Sequence, residues 1–466
     1  MDELVTIVMP VYNAERFLKD SISDIMGQTY PFWELICVDD GSMDRSPEIL
    51  RHFHQKDKRI KIIRQINRGA ARARNAAMGQ ASGEYVLFLD ADDRFMPELL
   101  EKTIRRAKDL ETDVLIFDAE CFDNHTGQKL PSEWLVKRDM LPDKPTFCFR
   151  DFPEDILLFS HSVPWNKLYR TDFLKENKLF FQEVPLEEDV VFVNMSYIKA
   201  EKMAFLDEAL VRYRQNNTHS LSGATARQRH PLCVYEAMES LRQRLVEGEL
   251  YETVKKSFVN YAAEHFLWNL EMMDRDSFGF LFAKTKKYFT EEIRIEEWEA
   301  DDFIREDLFD KARRVCRSDE KEYLFFLLQE KRRIIEKINR DFAGLKEYSD
   351  NIKRQLDVMR LKKRWFFENE KVAEGSRVIL YGAGEVGRDY FAQFKKEGHY
   401  DLVAWIDKNC EKAAGIEYTI ETPERISAYE YDYIIIAVSR AETIREIKLY
   451  LGGMGISDSR IVDMLS

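Results

Sequence analysis

The chain has 466 residues, of which 45% are hydrophobic and 33% are charged, with only 19 glycines and 12 prolines. This composition excludes a disordered, collagen-like or low-complexity protein, and the length predicts about two to four domains that each bury a core. The formal net charge of −13, from 71 basic and 84 acidic residues, argues against nucleic acid as a partner, because proteins that bind duplexes usually carry a basic excess.

The sequence shows neither a membrane-spanning segment nor a secretion signal. No run of about 18 apolar residues occurs, and the acidic residues 1–4 do not begin a signal peptide, which needs a basic region before an apolar stretch. The six cysteines are scattered without a Cys-x-x-Cys pair, so we expect reduced thiols rather than a zinc ribbon or a disulfide framework. These features predict a cytoplasmic protein.

The first 120 residues alternate between β-rich runs and apolar residues at helical spacing. We expect Asn13 to cap the first helix and Pro47 to lie in the first turn of the second, where proline is accepted. Such alternation predicts a parallel sheet covered on both faces, whose ligands bind beyond the carboxyl ends of the strands. The expected strands are residues 6–11, 33–38, 60–63, 85–89 and 114–117.

Two acidic clusters, Asp39-Asp40 and Asp90-Ala91-Asp92, follow two of these strands. Carboxylates repel a phosphate directly, so they suit a diphosphate only through a cation such as Mg²⁺ or Mn²⁺, which prefers carboxylate oxygens. Asp40 could also accept a hydrogen bond from the imide N–H of uracil, and Tyr12 offers a flat face for stacking the base. For either cluster alone, the alternative is ordinary loop chemistry, because aspartate favours turns and helix N-caps.

Residues 230–370 are charged and follow a helical pattern. Apolar residues at alternating spacings of four and three predict one long amphipathic helix, which could pair with another helix. Its end, residues 360–367, is basic and then aromatic; this favours either contact with an anionic membrane surface or a solvated helix face at a domain boundary. The apolar positions of the helix are Ile338, Phe342, Leu345, Ile352, Leu356 and Met359.

A second α/β pattern begins near residue 377. A short strand leads into Gly382-Ala383-Gly384-Glu385-Val386-Gly387, a helix follows, and Asp407 ends the next strand. This is the context of a dinucleotide-binding fingerprint, in which the three glycines shape the turn, helix N–H groups meet the pyrophosphate and Asp407 binds ribose hydroxyls. The unit resembles the small Rossmann-like modules of sugar-modifying proteins. It would bind NAD(P) or another nucleotide, or serve in docking or regulation.

Four motifs of the first hundred residues together resemble glycosyltransferase family 2 with the GT-A fold. They are Thr6–Asn13, Val38–Ser42, Ala73–Asn75 and Leu89–Asp93, and the likeness continues through Trp165–Tyr169 and Glu187–Phe192. The expected fold is therefore α/β in three parts. These are a GT-A domain with a mixed or parallel sheet over 1–228, a helical region over 229–370, and a Rossmann-like domain over 371–466.

The resemblance implies roles for individual residues. Asp189 would be the general base, with Glu188 as the rival candidate. Asp92 would be the principal ligand of Mn²⁺ or Mg²⁺ and His219 a second ligand, although a surface histidine without a role is the alternative for His219. On the donor side, Pro10, Tyr12 and Glu15 would line the nucleotide pocket, Asp40 would contact the base, Arg74 would lie close to the donor, and Asp90 would contact the ribose or donor sugar.

The resemblance also implies transfer with inversion. A sugar diphosphate already has a good leaving group, so one carboxylate base and one metal ion suffice. We expect a UDP-linked donor and a cell-surface polysaccharide or lipid-linked glycan as the acceptor, with Trp165 either stacking on the acceptor sugar or belonging to the aromatic core. A lipid-linked acceptor would bring peripheral contact with the inner face of the membrane, and the long helix would favour a homo-oligomer.

Two other functions stay open at this stage. The carboxyl-terminal unit could belong to an NAD(P)-dependent oxidoreductase that acts on a nucleotide sugar. Alternatively, the amino-terminal domain could bind a nucleotide sugar without catalysis, as a sensor or scaffold. The acidic clusters and the Glu188-Asp189 pair argue against the second alternative, because both are intact.

Overall fold

The computed structural model describes residues 3–216, 230–362, 367, 371–409 and 418–463. The chain divides into two compact units, Met1–Lys331 and Arg332–Ser466. Within the described ranges, the cysteines are free thiols. No helix in these ranges is both long and apolar enough to cross a membrane.

The first unit is built on a sheet with nine strands among the described residues. The strands are β1 Val5–Val11, β2 Trp33–Asp39, β3 Ile60–Arg64, β4 Tyr85–Phe88, β5 Arg94–Phe95, β6 Val114–Asp123, β7 Lys129–Leu130, β8 Lys167–Arg170 and β9 Met203–Gln215. β1 lies between β2 and β4 and is parallel to both, and β3 continues the sheet in parallel beyond β2. β8 is antiparallel to β4 and β6, so the sheet is mixed.

The carboxyl ends of β1, β2 and β4 meet at one edge of this sheet. β2 is buried at all seven positions, as expected for a parallel strand covered on both faces. Pro10 lies in β1 beyond Val8, the last residue that pairs with β4, so its missing N–H breaks no hydrogen bond on that side. Asp40 and Asp90 therefore follow two parallel strands, as predicted, and the structure shows that these are the strands that flank β1.

Eleven helices lie among the described residues up to position 362. They are α1 Leu18–Met26, α2 Ser46–Lys56, α3 Ala70–Met78, α4 Leu99–Leu110, α5 Thr171–Glu176, α6 Glu188–Lys199, α7 Cys233–Glu247, α8 Tyr251–Met272, α9 Arg275–Lys287, α10 Glu306–Arg317 and α11 Glu320–Lys362. Pro47 lies in the first turn of α2, as predicted. The prediction that Asn13 caps the first helix is wrong. α1 begins only at Leu18, and Asn13 adopts a φ of +48° in the preceding loop, a conformation that asparagine tolerates.

The helices after residue 230 pack on the same hydrophobic core as the sheet, which runs from Val5 to Leu327. A buried polar cluster connects α6 to α8. Asn194 Nδ2 donates to Ser162 Oγ at 2.9 Å and to Tyr261 Oη at 3.0 Å, and the two hydroxyl oxygens are 2.7 Å apart. Because buried polar groups are costly when unpaired, this cluster fixes how α6 is placed over the sheet.

The second unit has a five-stranded parallel sheet within the described residues. Its elements are β10 Arg377–Tyr381, α12 Glu385–Glu397, β11 Asp401–Ile406, β12 Ile420–Glu421, β13 Tyr433–Ile436, α13 Ala441–Gly453 and β14 Ile461–Asp463. The strand order is β12-β11-β10-β13-β14. The central strands β10, β11 and β13 bury isoleucine, leucine and tryptophan side chains on both faces.

The end of the basic and aromatic segment belongs to this second unit. Phe367 is buried in its core, and its backbone exchanges two hydrogen bonds with the Gln393 side chain, at 2.8 and 2.9 Å. Phe367 is thus not available to insert into a membrane surface, which corrects that part of the membrane interpretation. The neighbouring Trp365 and Phe366 lie outside the described residues.

The three glycines of the second unit's fingerprint differ in whether the structure requires a glycine at that position. Gly382 has a φ of +115°, which disfavours other residues, and its carbonyl accepts a hydrogen bond from Trp405 Nε1 at 2.8 Å. A Cβ at Gly387 would lie 2.0 Å from the Gly382 carbonyl oxygen, so only glycine fits there. A Cβ at Gly384, by contrast, would meet no described atom within 4 Å.

We expect Gly387→Ala to destabilise the second unit by about 1–3 kcal/mol, because the methyl group would force β10 and α12 apart. Gly384→Ala is the matched control in the same loop and should cost less than about 1 kcal/mol. Hydrogen exchange followed by mass spectrometry on peptides from residues 377–407 of the full chain measures both effects. Equal protection in the two variants would contradict the packing argument.

Candidate active site

Hydrogen bonds from backbone N–H groups to side-chain oxygens join the loop after β1 to the loop after β2. The N–H of Asn13 donates to Ser42 Oγ at 3.0 Å, and the N–H of Glu15 donates to Asp44 Oδ2 at 2.9 Å. In return, the N–H of Arg45 donates to Glu15 Oε2 at 2.9 Å. Glu15, which is predicted to line the nucleotide pocket, therefore helps to hold the two loops together.

The predicted stacking residue, Tyr12, lies beside these contacts. Its side chain is 46% exposed at the carboxyl edge of the sheet, and Pro10, two residues earlier, is half-buried at the end of β1. A flat exposed ring at this edge can stack on a base. The structure thus leaves Tyr12 accessible in the region where the sequence predicts the nucleotide.

The Asp40 carboxylate organises the loop that leads into α3. It is almost fully buried, and Oδ1 accepts hydrogen bonds from Gln65 Nε2 and from the N–H of Arg68, both at 2.8 Å. Oδ2 accepts a third from the N–H of Gly69, also at 2.8 Å. Since a carboxylate has about four acceptor positions, little capacity is left for a base. The role of Asp40 in base recognition stays a prediction.

The acidic loop after β4 is positioned by two residues that the sequence analysis missed. Ser21 Oγ on α1 lies 2.9 Å from the carbonyl oxygen of Ala91 and 2.7 Å from that of Asp93. At the end of β9, Arg214 Nε donates to the carbonyl of Asp92 at 2.7 Å, and the N–H of Arg214 donates to Asp93 Oδ1 at 2.8 Å. These contacts fix the backbone, and the Asp92 side chain remains partly exposed.

Asp93 is the fully buried member of the acidic loop. Its Oδ2 has no hydrogen-bond partner in the described part of the chain. Burial, followed by the negative charges of Asp92 and Asp90, raises the pKa of the Asp93 carboxyl well above its usual range. The folded site therefore disfavours charge on Asp93, whereas Asp90 and Asp92 are the partly exposed carboxyl groups of this loop.

Arg74 on α3 bridges two parts of the candidate site. Its guanidinium donates to Asp90 Oδ1 and to Glu188 Oε1, both at 2.9 Å, and lies 5.2 Å from the centre of the Phe181 ring. Although burial opposes its charge, the carboxylates Asp90, Glu188 and Asp189 together raise its pKa. One buried cation therefore connects the loop after β4 with the start of α6.

Asp189 lies in the first turn of α6, next to Glu188. Burial is the main cause that raises the pKa of Asp189 well above its usual range, followed by the charges of Glu188 and Glu187, whereas Arg74 lowers it. Glu188 already forms an ion pair with Arg74. Among the described residues no such ion pair engages Asp189, and a carboxylate with a raised pKa suits proton transfer near neutral pH.

A fully buried lysine lies near Asp189. Lys167 Nζ donates to the carbonyls of His161 and Val163, at 3.1 and 2.7 Å, and to Asn166 Oδ1 at 2.6 Å. Burial lowers the pKa of Lys167 well below its usual range, and the charge of Asp189 opposes this shift. In the sequence, only the Trp165–Tyr169 motif marks Lys167, because nothing local distinguishes it from a surface lysine.

Trp165 is not brought into this arrangement. Trp165 is only 3% exposed, and its ring stacks on Tyr213 with centroids 4.7 Å apart and an angle of 13° between the planes. A sugar could stack on Trp165 only if the ring were uncovered. Of the two interpretations of Trp165, the structure therefore agrees with a place in the aromatic core and not with an open stacking surface for the acceptor sugar. His219 lies outside the described residues.

The glycine loop of the second unit is held by Asp407. Oδ2 accepts a hydrogen bond from the N–H of Ala383 at 2.5 Å, and Oδ1 accepts one from the N–H of Asn409 at 2.7 Å. Asp407 thus stabilises the fingerprint loop in addition to any role on a ribose. Its predicted ligand contact, with those of Gly382, Gly384 and Gly387, stays a prediction.

Two family models match this chain. The model of Glycosyl transferase family 2 matches residues 6–177, and that of C2185-like, N-terminal, matches residues 374–462. The first match contains the acidic loops and Arg74 but ends before Glu188-Asp189. The second match lies within the carboxyl-terminal unit.

Named relatives align with the first half of the chain. The uncharacterized glycosyltransferase EpsJ of Bacillus subtilis is 31% identical over 219 residues, which are 46% of this chain and 62% of that protein. The poly(ribitol-phosphate) beta-glucosyltransferase of Bacillus spizizenii is 32% identical over 205 residues, 43% of this chain and 30% of that protein. The chain therefore spans less than two thirds of the length of these two relatives.

Solved structures extend the likeness to the helices that follow. S. aureus TarS 1-349 in complex with UDP-GlcNAc matches with a TM-score of 0.53 at 20% identity, over 69% of this chain and 89% of that one. At this identity the match supports the fold alone, an α/β architecture with a mixed sheet and a helical region. Together with the family match, it shows that the amino-terminal part of this chain is a glycosyl transferase family 2 domain with a GT-A-like fold.

Proposed function

We propose that this protein is an inverting glycosyltransferase that moves a sugar from a UDP-linked donor to a hydroxyl group of a cell-surface polysaccharide or lipid-linked glycan. The observation that carries the proposal is the Arg74 bridge, which joins the donor-side carboxylate of Asp90 to the Glu188-Asp189 pair. The relative named for poly(ribitol-phosphate) glucosylation supports a cell-wall polymer as acceptor, and the TarS complex supports a UDP-sugar as donor.

In the proposed reaction, Asp189 accepts the proton of the acceptor hydroxyl as that oxygen attacks the anomeric carbon. A new carbon–oxygen bond forms on the face opposite the diphosphate, and the bond to the diphosphate breaks with its electron pair on the leaving oxygen. Single displacement of this kind inverts the anomeric carbon. Glu188 holds Arg74 in place, and Arg74 holds Asp90 toward the ribose or donor sugar.

Asp92 would hold a divalent cation, Mn²⁺ or Mg²⁺. In the described residues no group of three or more histidine, cysteine or acidic side chains could hold a metal ion alone. The partly exposed Asp92 nevertheless provides hard oxygen donors, which suit a cation that keeps water and diphosphate among its ligands. When bound, such a cation neutralises charge on the departing diphosphate.

For the carboxyl-terminal residues 371–466, we propose a Rossmann-like module. The support is the parallel sheet and the glycine loop, in which the packing around Gly387 requires a glycine whereas the space around Gly384 stays open. An open glycine at a helix N-terminus leaves room for a nucleotide phosphate. The family match over residues 374–462 does not name a ligand.

We expect Asp189→Asn to lower sugar transfer by about 10²–10⁴-fold, because the amide cannot accept the proton. UDP affinity, measured by calorimetric titration, should stay unchanged. The rate is measured as UDP release from UDP-sugars with and without candidate acceptors. Glu188→Gln is the matched control and should keep much more activity, since glutamine still accepts the Arg74 hydrogen bond. Full activity in Asp189→Asn would remove Asp189 from the role of base.

The raised pKa of Asp189 adds a pH signature to the same variant. Asp189 destabilises the fold increasingly as pH rises above about 4, its unfolded pKa, because the folded site disfavours the charged form. Asp189→Asn should therefore raise the unfolding temperature at pH 8 and change it least near pH 4. In the wild type, transfer should decline on acidification at a higher pH than an ordinary aspartate gives. An equal change in unfolding temperature at pH 8 and near pH 4 would contradict a raised pKa of Asp189.

Replacing Arg74 should damage both fold and function. Arg74→Met leaves Asp90 and Glu188 unpaired, which we expect to lower the free energy of unfolding by about 3–5 kcal/mol. Arg74→Lys keeps the charge but lacks the planar fork, so it should still lose most activity. Urea unfolding measures the first effect. In a double-mutant cycle, Arg74→Met with Glu188→Met should be less destabilised than the sum of the single variants, and strict additivity would refute the bridge.

The cation proposal is tested by UDP binding. Wild-type protein should bind UDP more tightly with Mn²⁺ than with chelator, and Asp92→Asn should lose this gain. Asp93→Asn is the matched control, because the buried Asp93 is not the proposed principal ligand and asparagine can still accept the Arg214 N–H bond. Calorimetric titration measures both affinities. A full Mn²⁺ gain in Asp92→Asn, or an equal loss in Asp93→Asn, would contradict the assignment.

A further inference from the structure

The long helix α11 leaves the hydrophobic core soon after it begins. Tyr323 and Leu327 are buried with the first unit, and Lys331 Nζ still donates to the Glu271 carbonyl at 3.0 Å. From residue 331 to residue 342, every side chain is exposed. The helix has 43 residues and is about 65 Å long, and among the described side chains Leu327 is the last that α11 buries in this core.

Large apolar side chains recur along the exposed part of α11. Leu328, Ile335, Ile338 and Phe342 are 58%, 57%, 59% and 70% exposed. Their spacings of seven, three and four residues are those of the a and d positions of a heptad, with Ile335 and Phe342 at a and Ile338 at d. The sequence continues this spacing with Leu345 at d, followed by further apolar residues at 352, 356 and 359.

We propose that residues 335–362 of α11 form a parallel two-stranded coiled coil with a second copy of this chain. A row of exposed apolar residues of this length is unusual on a monomer and marks an interaction surface. A second identical helix presents the same row at the same spacing, and a coiled-coil dimer requires this match. This proposal does not depend on the proposed sugar transfer.

The charges beside the apolar row favour the parallel arrangement. Asp341 occupies a g position and Lys346 the next e position, and in a parallel pair these two meet across the interface with opposite charge. In an antiparallel pair, e positions face e positions. The e positions at 346, 353 and 360 are all Lys or Arg, so that arrangement would bring like charges together.

The width of the row favours two helices. The b, c and f positions of the described turn are charged and exposed, namely Glu336, Lys337 and Arg340. An apolar surface limited mainly to a and d is the seam of a two-stranded coil, whereas larger bundles need a wider apolar face. Ile334 at g adds apolar surface at the start of the seam.

Light scattering after size exclusion tests the proposal on the full chain. The wild type should have twice the mass of one chain, and Ile338→Glu with Phe342→Glu should have the mass of one chain. The matched control, Lys337→Glu with Arg340→Glu, introduces the same residue on the outer face and should stay dimeric. Near-ultraviolet circular dichroism verifies that both variants keep the folded core. A monomeric or larger wild type, or a dimeric seam variant, would overturn the proposal.

Cysteine cross-linking tests the parallel direction. Phe342→Cys should form a disulfide between two copies under mild oxidation, because a positions face each other only in a parallel, in-register pair. Lys337→Cys on the outer face is the control and should not cross-link above the wild-type background. Asp341→Lys should weaken dimerisation about two- to tenfold, and Asp341→Lys with Lys346→Asp should restore it. Failure to cross-link at position 342 would overturn the parallel coil.

Discussion

The candidate site depends on a single buried cation. Arg74 reaches Asp90 and Glu188 with two separate nitrogens, each at 2.9 Å, so one side chain sets the distance between the loop after β4 and the start of α6. The partly buried carboxylates of Asp90 and Glu188 would repel one another without a cation between them. Lysine offers a compact point charge, whereas the planar fork of arginine fixes two directions at once. The geometry of the site follows from this fork.

The same arrangement leaves Asp189 in an electrostatically unfavourable position. Arg74 is engaged by its two neighbours, so burial and the nearby glutamates outweigh its effect on Asp189 and raise the pKa of that carboxyl. A carboxylate with a raised pKa binds a proton more strongly, which suits the proposed role of Asp189 in taking the proton of the acceptor hydroxyl near neutral pH. The folded protein pays for this readiness with lower stability, a relationship common at functional sites.

The sequence predicts most of the parallel half of the sheet, because buried parallel strands are continuous apolar runs and their carboxyl ends must share an edge. The placement of Asp40 and Asp90 at one edge of the sheet follows from that rule. The positions of Ser21 and Arg214 do not, because each contacts the acidic loop from an element about 70 or 120 residues away along the chain. Local pattern carries no information about such contacts. The burial of Trp165 could not be predicted for the same reason, since a tryptophan suits either a hydrophobic core or a surface on which a sugar stacks.

The exposed part of α11 poses a physical problem that the first unit does not solve. Helices gain most of their stability from packing an apolar face, and isolated segments are marginal in water. Gly344 in the middle of this segment weakens it further, by about 1 kcal/mol relative to alanine. The heptad spacing and the exposure of these apolar side chains therefore both indicate a partner along the row that includes Ile335, Ile338 and Phe342. A second copy in parallel would meet this requirement and would also bring two first units to the same end of the coil.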